Sequence, residues 1–333
     1  MPSPRVAVLL TEGTRAMVLS EAAEARLGSI ADVRTPVGPP TEWDLPALLD
    51  GAVACLTGWG TPRLDEDLLA KTPALALVAH TAGSVRNLLP QQAIGQRLTV
   101  CQAAALIADS VAELVIAQLL AVLRELHVFD RGLRNGESWG ELRDRHPGRL
   151  LGARTVGVVG ASRTGRAVID LLRAFGATVL VADPYLDEDG AARLGVRHVD
   201  LDTLLRQSEI VTLHVPLLPS TTNLIGAREL GLLRDGALLV NSARGGLVEP
   251  TALLAELRSG RIAAALDVFP AEPLPPDSEW RQLPNAIISP HAAGHTRDSH
   301  LRQGDAMVDD IARFLAGEPL RHAISPEMVE VLA

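Results

Sequence analysis

The segment Thr155-Val156-Gly157-Val158-Val159 runs straight into Gly160-Ala161-Ser162-Arg163-Thr164-Gly165. A short apolar run, a glycine turn and a helix-compatible stretch predict strand, tight turn and helix, the opening of a βαβ unit. In the dinucleotide-binding fingerprint the first glycine, here Gly160, permits the turn, and the last, Gly165, permits close helix–strand packing. The middle position, where glycine lets the backbone approach a pyrophosphate, is Ser162. Its hydroxyl either donates to a phosphate or its bulk pushes the ligand outward, and the sequence leaves both open. The next predicted strand ends in Ala182-Asp183, 23 residues after Gly160. A carboxylate there accepts from both ribose hydroxyls and repels a 2′-phosphate, which favours NAD over NADP. The alternative is a plain strand-ending turn at Asp183-Pro184.

Outward from this unit, apolar runs alternate with helical stretches in both directions. Strands are predicted at 155–159, 178–182, 210–215, 237–240, 262–266 and 286–289, with helices at 164–175, 201–207, 227–233 and 251–258. Several of these strands are continuous apolar runs, as expected when helices cover both faces of a parallel sheet. The first third shows the same alternation, with strands at 6–10, 52–56, 74–79 and 98–101 and helices at 15–27 and 65–70. Ser110-Val111-Ala112-Glu113 reads as a capping box that opens a long apolar helix through Leu126. From Asp130 to Arg149 the period breaks, and the stretch reads as an arm or a surface loop. The tail 297–315 is predicted helical and stops at Gly317.

At 333 residues the chain fits about two domains. Hydrophobic residues at 47% against 21% charged exclude a disordered chain. A net charge of -9 argues against a nucleic-acid partner. Two cysteines, Cys55 and Cys101, support no disulfide framework. There is no signal-peptide pattern and no run of 18 uninterrupted apolar residues, so a cytoplasmic protein without a membrane partner is expected.

Three segments at predicted strand ends carry reactive side chains: Asn241-Ser242-Ala243-Arg244-Gly245-Gly246, Asp267-Val268-Phe269-Pro270-Ala271-Glu272-Pro273 and Ser289-Pro290-His291-Ala292-Ala293-Gly294. Ligands of open α/β sheets bind beyond the carboxyl ends of strands, which is where these segments fall. Arg244 offers a planar donor fork for a carboxylate, and His291 exchanges a proton near neutral pH. Glu272 is placed to bond to the imidazole, orient it and favour its protonated form. Each has a bland alternative as a surface arginine, a loop-end glutamate or a backbone-capping histidine. His295, His300 and Asp298 lie near His291 but lack a metal-site pattern, and no metal is assigned.

The order of these segments resembles the D-isomer-specific 2-hydroxyacid dehydrogenases over nearly the whole chain, most strongly from Ala108 to Leu320. Thr212-Leu213-His214-Val215-Pro216-Leu217 with Thr221-Thr222-Asn223 resembles the family's segment beside the nicotinamide. The three strand-end segments resemble those carrying its arginine, glutamate and histidine. The resemblance implies an α/β protein of two Rossmann-like domains with parallel sheets, the smaller one flavodoxin-like and discontinuous. Residues 1–103 plus 297–333 would form the smaller, substrate-binding domain. Residues 104–296 would form the NAD-binding domain, with a dimerisation arm near 130–149 that makes Trp139 a candidate partner contact. The implied cofactor contacts are Gly160, Ser162, Arg163, Thr164, Gly165, Asp183, His214, Val215, Pro216, Thr221, Ser242, Ala243, Asp267, His291 and Gly294. Ala82, Gly83 and Ser84 align with the substrate loop and join Arg244 and His291 as substrate-binding residues. That loop departs from the family's common Gly-x-Asp, so the roles of Arg86 and His80 stay open.

The implied reaction is reversible hydride transfer between NADH and a small 2-oxo acid resembling glyoxylate or hydroxypyruvate. His291 would serve as proton donor and acceptor and Arg244 as carboxylate ligand, in a homodimer. Two alternatives remain: a short-form phosphoglycerate dehydrogenase, and a low-turnover dinucleotide-sensing protein suggested by Ser162.

Overall fold

The computed structural model describes residues 3–326 and 328, so the end of the expected C-terminal return lies outside the described residues. The chain divides into two compact units, 1–107 with 295–333, and 108–294. Strands β1 (Arg5–Leu9), β2 (Asp32–Arg34), β3 (Ala52–Thr57), β4 (Leu77–His80) and β5 (Thr99–Gln102) belong to the first unit. The second holds β6 (Thr155–Val159), β7 (Thr178–Ala182), β8 (Arg197–His198), β9 (Ile210–Leu213), β10 (Leu238–Asn241), β11 (Ala263–Leu266) and β12 (Ala286–Ile288). A last strand, β13 (Ala323–Ile324), returns to the first.

The first sheet runs β13-β5-β4-β3-β1-β2, parallel except for β13, which pairs antiparallel with β5. Cys55, Val78 and Val100 pack on one face with Leu68, Leu69 and Leu89. Leu56, Ala79 and Cys101 pack on the other with Met307, Val308 and Ile311 of the helix Arg297–Ala316. Asp310 of that helix is fully buried and anchors the approach to β13, accepting from the backbone amides of Arg321 (2.7 Å) and His322 (3.1 Å).

The second sheet is parallel throughout, in the order β12-β11-β10-β9-β6-β7-β8. Alternate residues of each strand feed opposite cores, as the two-residue pleat requires. Val156 and Val158 meet Val115, Leu119 and Leu172 on one face, while Leu213 and Leu239 meet Leu204, Leu230 and Leu253 on the other. The strand order reverses direction at β6, and the loops after β6 and β9 flank that switch point, where an open α/β sheet forms its ligand crevice.

Three expectations are corrected. The predicted helix 15–27 is two helices, Glu12–Val18 and Glu21–Ile30, because the Ser20 hydroxyl caps a new start by accepting from Ala23 N (3.0 Å). The helix expected to open at Ser110 begins at Ala104 and ends at Leu123, so Ser110 sits inside it. Its hydroxyl donates instead to the Ala293 carbonyl at 3.1 Å. The irregular stretch 130–149 holds the end of one short helix, Leu126–Arg134, and the whole of another, Trp139–Arg145, each too short to show a period in sequence. The helix Ala104–Leu123 is long and apolar enough by length and composition to cross a membrane. Its buried residues Ala112, Val115, Leu119 and Leu123 cover the second sheet.

Two histidines sit buried at strand ends. The His80 ring bonds to Thr57 Oγ1 at 3.0 Å and to the backbone of Ser84. His214 pairs through Nε2 with Thr212 Oγ1 at 2.9 Å. Burial pushes both down to about 4. In the unfolded chain each ring takes a proton near its ordinary value of 6.5, so the stability tied to the neutral rings is present above that pH and lost as pH falls toward 4. The loss is expected to reach up to roughly 3 kcal/mol per ring. Urea unfolding of the wild type and of His80→Asn/His214→Asn at pH 7.5 and 4.5 checks this. The wild type should lose clearly more stability than the variant between those pH values, and equal losses would contradict it.

Candidate active site

The turn between β6 and the helix Arg163–Ala174 is shaped by what cannot fit there. Gly160 has φ +96°, and a Cβ on it would come within 2.8 Å of the His214 carbonyl oxygen. A Cβ on Gly165 would meet the Gly160 carbonyl oxygen at 2.1 Å. Ser162 is the N-cap of the helix, and its Oγ accepts from Gly165 N at 3.2 Å. This capping role was not foreseen from sequence, and it leaves the hydroxyl proton available to donate. The amides of Arg163 and Thr164 open the first turn behind this cap, and a helix N-terminus of this kind suits an anion beside a serine hydroxyl. Asp183 directly follows β7 and is half-buried. Its Oδ2 accepts from Ala161 N (2.6 Å) and its Oδ1 from Tyr185 N (2.8 Å), which ties the carboxylate to the glycine turn. Val215 and Pro216 follow the buried His214, and Thr221 closes their loop by donating to the Pro216 carbonyl at 2.6 Å. These residues fit a dinucleotide: a glycine cradle for the pyrophosphate, open helix amides, and a carboxylate at the ribose position.

The loops after the adjacent strands β10, β11 and β12 bring Arg244, Glu272 and His291 into one region of the sheet's carboxyl edge. Asn241 sets the first loop: its Nδ2 donates to the Arg244 carbonyl (2.9 Å) and its Oδ1 accepts from Ala243 N (3.1 Å). Gly245 lets this loop touch the second, since a Cβ there would lie 2.2 Å from the Phe269 backbone. Glu272 bridges outward from that second loop. Its Oε1 accepts from Phe269 N (2.9 Å) and its Oε2 lies 2.7 Å from His291 Nδ1. A carboxylate only accepts, so Nδ1 carries the hydrogen and Nε2 is the nitrogen presented for proton exchange. The His291 side chain is about half exposed, so a ligand can reach that nitrogen.

His291 has φ +53°, a left-handed conformation that a non-glycine residue adopts only when its surroundings enforce it. Asp267 supplies the enforcement. It is fully buried, its carbonyl accepts from His291 N (2.8 Å), and its carboxylate accepts from Ala292 N, Ala293 N (both 2.8 Å) and Ser289 Oγ (2.5 Å). Sequence reading placed Asp267 and Ser242 among the cofactor contacts and did not anticipate these internal bonds. It also passed over Gln118, a buried amide that accepts from Ser242 Oγ (3.3 Å) and donates to Ser289 Oγ (3.2 Å). The available signal was a glutamine inside an otherwise apolar helical run.

In the first unit, Ala82 is buried and Gly83 and Ser84 are half-buried, on the loop that His80 secures. His295 and His300 pack edge to face at 4.6 Å, and His300 packs likewise on Trp59 at 5.3 Å. Trp139 is 73% exposed.

The model of the family described as D-isomer specific 2-hydroxyacid dehydrogenase, NAD binding domain, matches residues 116–293. A glyoxylate reductase of Aeropyrum pernix is 34% identical over 276 residues, covering 81% of this chain and 82% of the relative. A D-3-phosphoglycerate dehydrogenase of Archaeoglobus fulgidus is 34% identical over 269 residues, covering 80% of this chain, which spans 50% of the length of that relative. Among solved structures, a phosphoglycerate oxidoreductase from Rhizobium etli superposes with TM-score 0.79 at 26% identity, covering 97% of this chain and 98% of the other. The D-lactate dehydrogenase of Escherichia coli shares the fold, with TM-score 0.75 at 23% identity and coverage of 96% and 99%. With the glycine turn, the Asp183 carboxylate and the family match falling on the same unit, the chain belongs to the D-isomer specific 2-hydroxyacid dehydrogenases, oxidoreductases of CH–OH donors whose cofactor is NAD.

Proposed function

We propose that this chain interconverts a small 2-oxo acid, such as glyoxylate or hydroxypyruvate, with the corresponding D-2-hydroxy acid. The observation that carries the proposal is the Glu272–His291 pair at 2.7 Å, on strand loops adjacent to the one bearing Arg244. Bound NADH supplies the hydride. Arg244 holds the substrate carboxylate through its guanidinium fork and polarises the neighbouring carbonyl. The protonated His291 donates from Nε2 to the carbonyl oxygen, and the neutral ring takes that proton back in the oxidising direction. Glu272 acts through His291: it fixes the ring and balances the imidazolium. The apolar side chains Leu126, Leu133 and Trp139, exposed on the two short helices, support a homodimer, which sedimentation would reveal by its mass.

Phosphoglycerate dehydrogenase is the second reading, favoured by the named relatives of that activity, although the chain spans about half of their length. A sensing protein with little turnover is disfavoured by the formed Glu272–His291 pair.

His291→Ala should lower kcat for glyoxylate or hydroxypyruvate reduction by on the order of 10²-fold. Arg244→Ala should raise KM and also lower kcat, since carboxylate grip and carbonyl polarisation are both lost, and Glu272→Gln should lower kcat by about tenfold through lost orientation. Wild-type kinetics in all three, with folding verified by circular dichroism, would remove the assignment, and turnover of 3-phosphoglycerate alone would favour the second reading.

Ser162 is tested by NADH titration calorimetry. If its hydroxyl both caps the helix and donates to phosphate, Ser162→Ala and Ser162→Gly should both bind NADH more weakly. Alanine should be the worse of the two, because it keeps the Cβ bulk and is the poorer cap. Tighter binding by the glycine variant would mean that the side chain only crowds the pyrophosphate.

A further inference from the structure

Gln118 projects from the helix Ala104–Leu123, which covers one face of the second sheet through apolar residues. A primary amide buried in such a face is costly unless its bonds are met. Here both ends are met, by side chains on two different loops. Ser242 lies two residues before Arg244, and Ser289 two residues before His291.

The direction of the chain of bonds follows from chemistry. The Asp267 carboxylate only accepts, so the Ser289 hydroxyl donates to it at 2.5 Å. Having spent its proton there, Ser289 Oγ accepts from the Gln118 amide nitrogen at 3.2 Å. That fixes the other end of the amide as oxygen, which accepts from Ser242 Oγ at 3.3 Å. Every donor therefore points the same way, from Ser242 through Gln118 and Ser289 to Asp267. At the terminus, Asp267 accepts the amides of Ala292 and Ala293 and, through its carbonyl, that of His291.

We infer that Gln118 is a positioning residue that links the Arg244 loop to the His291 loop, so that carboxylate ligand and proton donor keep a fixed separation. The inference rests on the proposed roles of Arg244 and His291. Gln118 touches neither substrate nor cofactor in this scheme. Its amide acts as a fixed-length strut between two loops that no strand pairing joins directly, since β11 separates β10 from β12. Without the strut, Ser242 and Ser289 each lose a partner, and Ser289, which donates to the buried Asp267 carboxylate beneath the left-handed His291 turn, is held from one side only.

The test uses Gln118→Met, which keeps length and volume but removes the amide, and Gln118→Glu, which keeps an acceptor for Ser242 but cannot donate to Ser289. Hydrogen exchange in the full-length protein without ligand is the first readout. Amide exchange should rise about tenfold in segments 241–245 and 289–294 in both variants, while β6 and β7 keep wild-type protection. Initial rates with glyoxylate and hydroxypyruvate are the second readout. The expected fall in kcat is about tenfold in both variants, with NADH affinity within twofold of wild type. Unchanged exchange in both segments, or an equal rise across β6 and β7, would overturn the inference. If the wild type reduces no 2-oxo acid while exchange responds as expected, the proposed reaction fails and the strut stands.

Discussion

The buried carboxylate of Asp267 is the constraint on which the reactive geometry depends. Its three accepted bonds and its own carbonyl gather residues 289–293 into one conformation, including a left-handed His291. A non-glycine residue with positive φ costs of order 1 kcal/mol or more, which the surrounding bonds must offset. What that strain provides is direction. With the backbone turned in this way, the imidazole presents Nδ1 to Glu272 and leaves Nε2 for the reacting oxygen. Glu272 is itself held by the amide of Phe269, so the acid that orients the ring is oriented in turn.

The same logic governs the nucleotide end of the second sheet. Asp183 accepts the Ala161 amide, so the residue proposed to read the ribose also braces the turn proposed to hold the pyrophosphate. Ser162 departs from the fingerprint glycine and compensates locally by capping the helix at that turn. In both places carboxylates or hydroxyls satisfy backbone amides: Asp267 and Glu272 around His291, Asp183 and Ser162 around the glycine turn.

Most strands were legible because they alternate cleanly with helices, and β6, β7 and the helix Leu201–Gln207 fall where the apolar runs place them, while the short, partly polar β2 and β8 were not anticipated. Helix starts were less legible. Ser20 caps a helix and Ser110 does not, although both are serines ahead of helix-forming residues. Ser110 has a better use at the Ala293 carbonyl, which lies 183 positions away in sequence. The antiparallel β13 has two residues and escaped notice because it is held by Asp310 and by pairing with β5, neither of which leaves a local pattern. At the candidate site, Arg244, Glu272 and His291 could be named from residue type and strand-end position. Their supports, Asp267 as the turn's anchor and Gln118 as a cross-loop link, could not, because each works through contacts between segments far apart in the chain.

The central claim is that the Asp267 anchor sets the orientation and tautomer of His291. Long-range ¹⁵N–¹H correlation of the His291 ring in the ligand-free protein, above the pH at which the ring is charged, tests it most directly. The account predicts a single tautomer in the wild type, with the proton on Nδ1 and a bare Nε2, and a mixture of tautomers in Asp267→Asn, where an amide group faces the donors that a carboxylate accepted. A proton on Nε2 in the wild type, or an unchanged single tautomer in the variant, would contradict it.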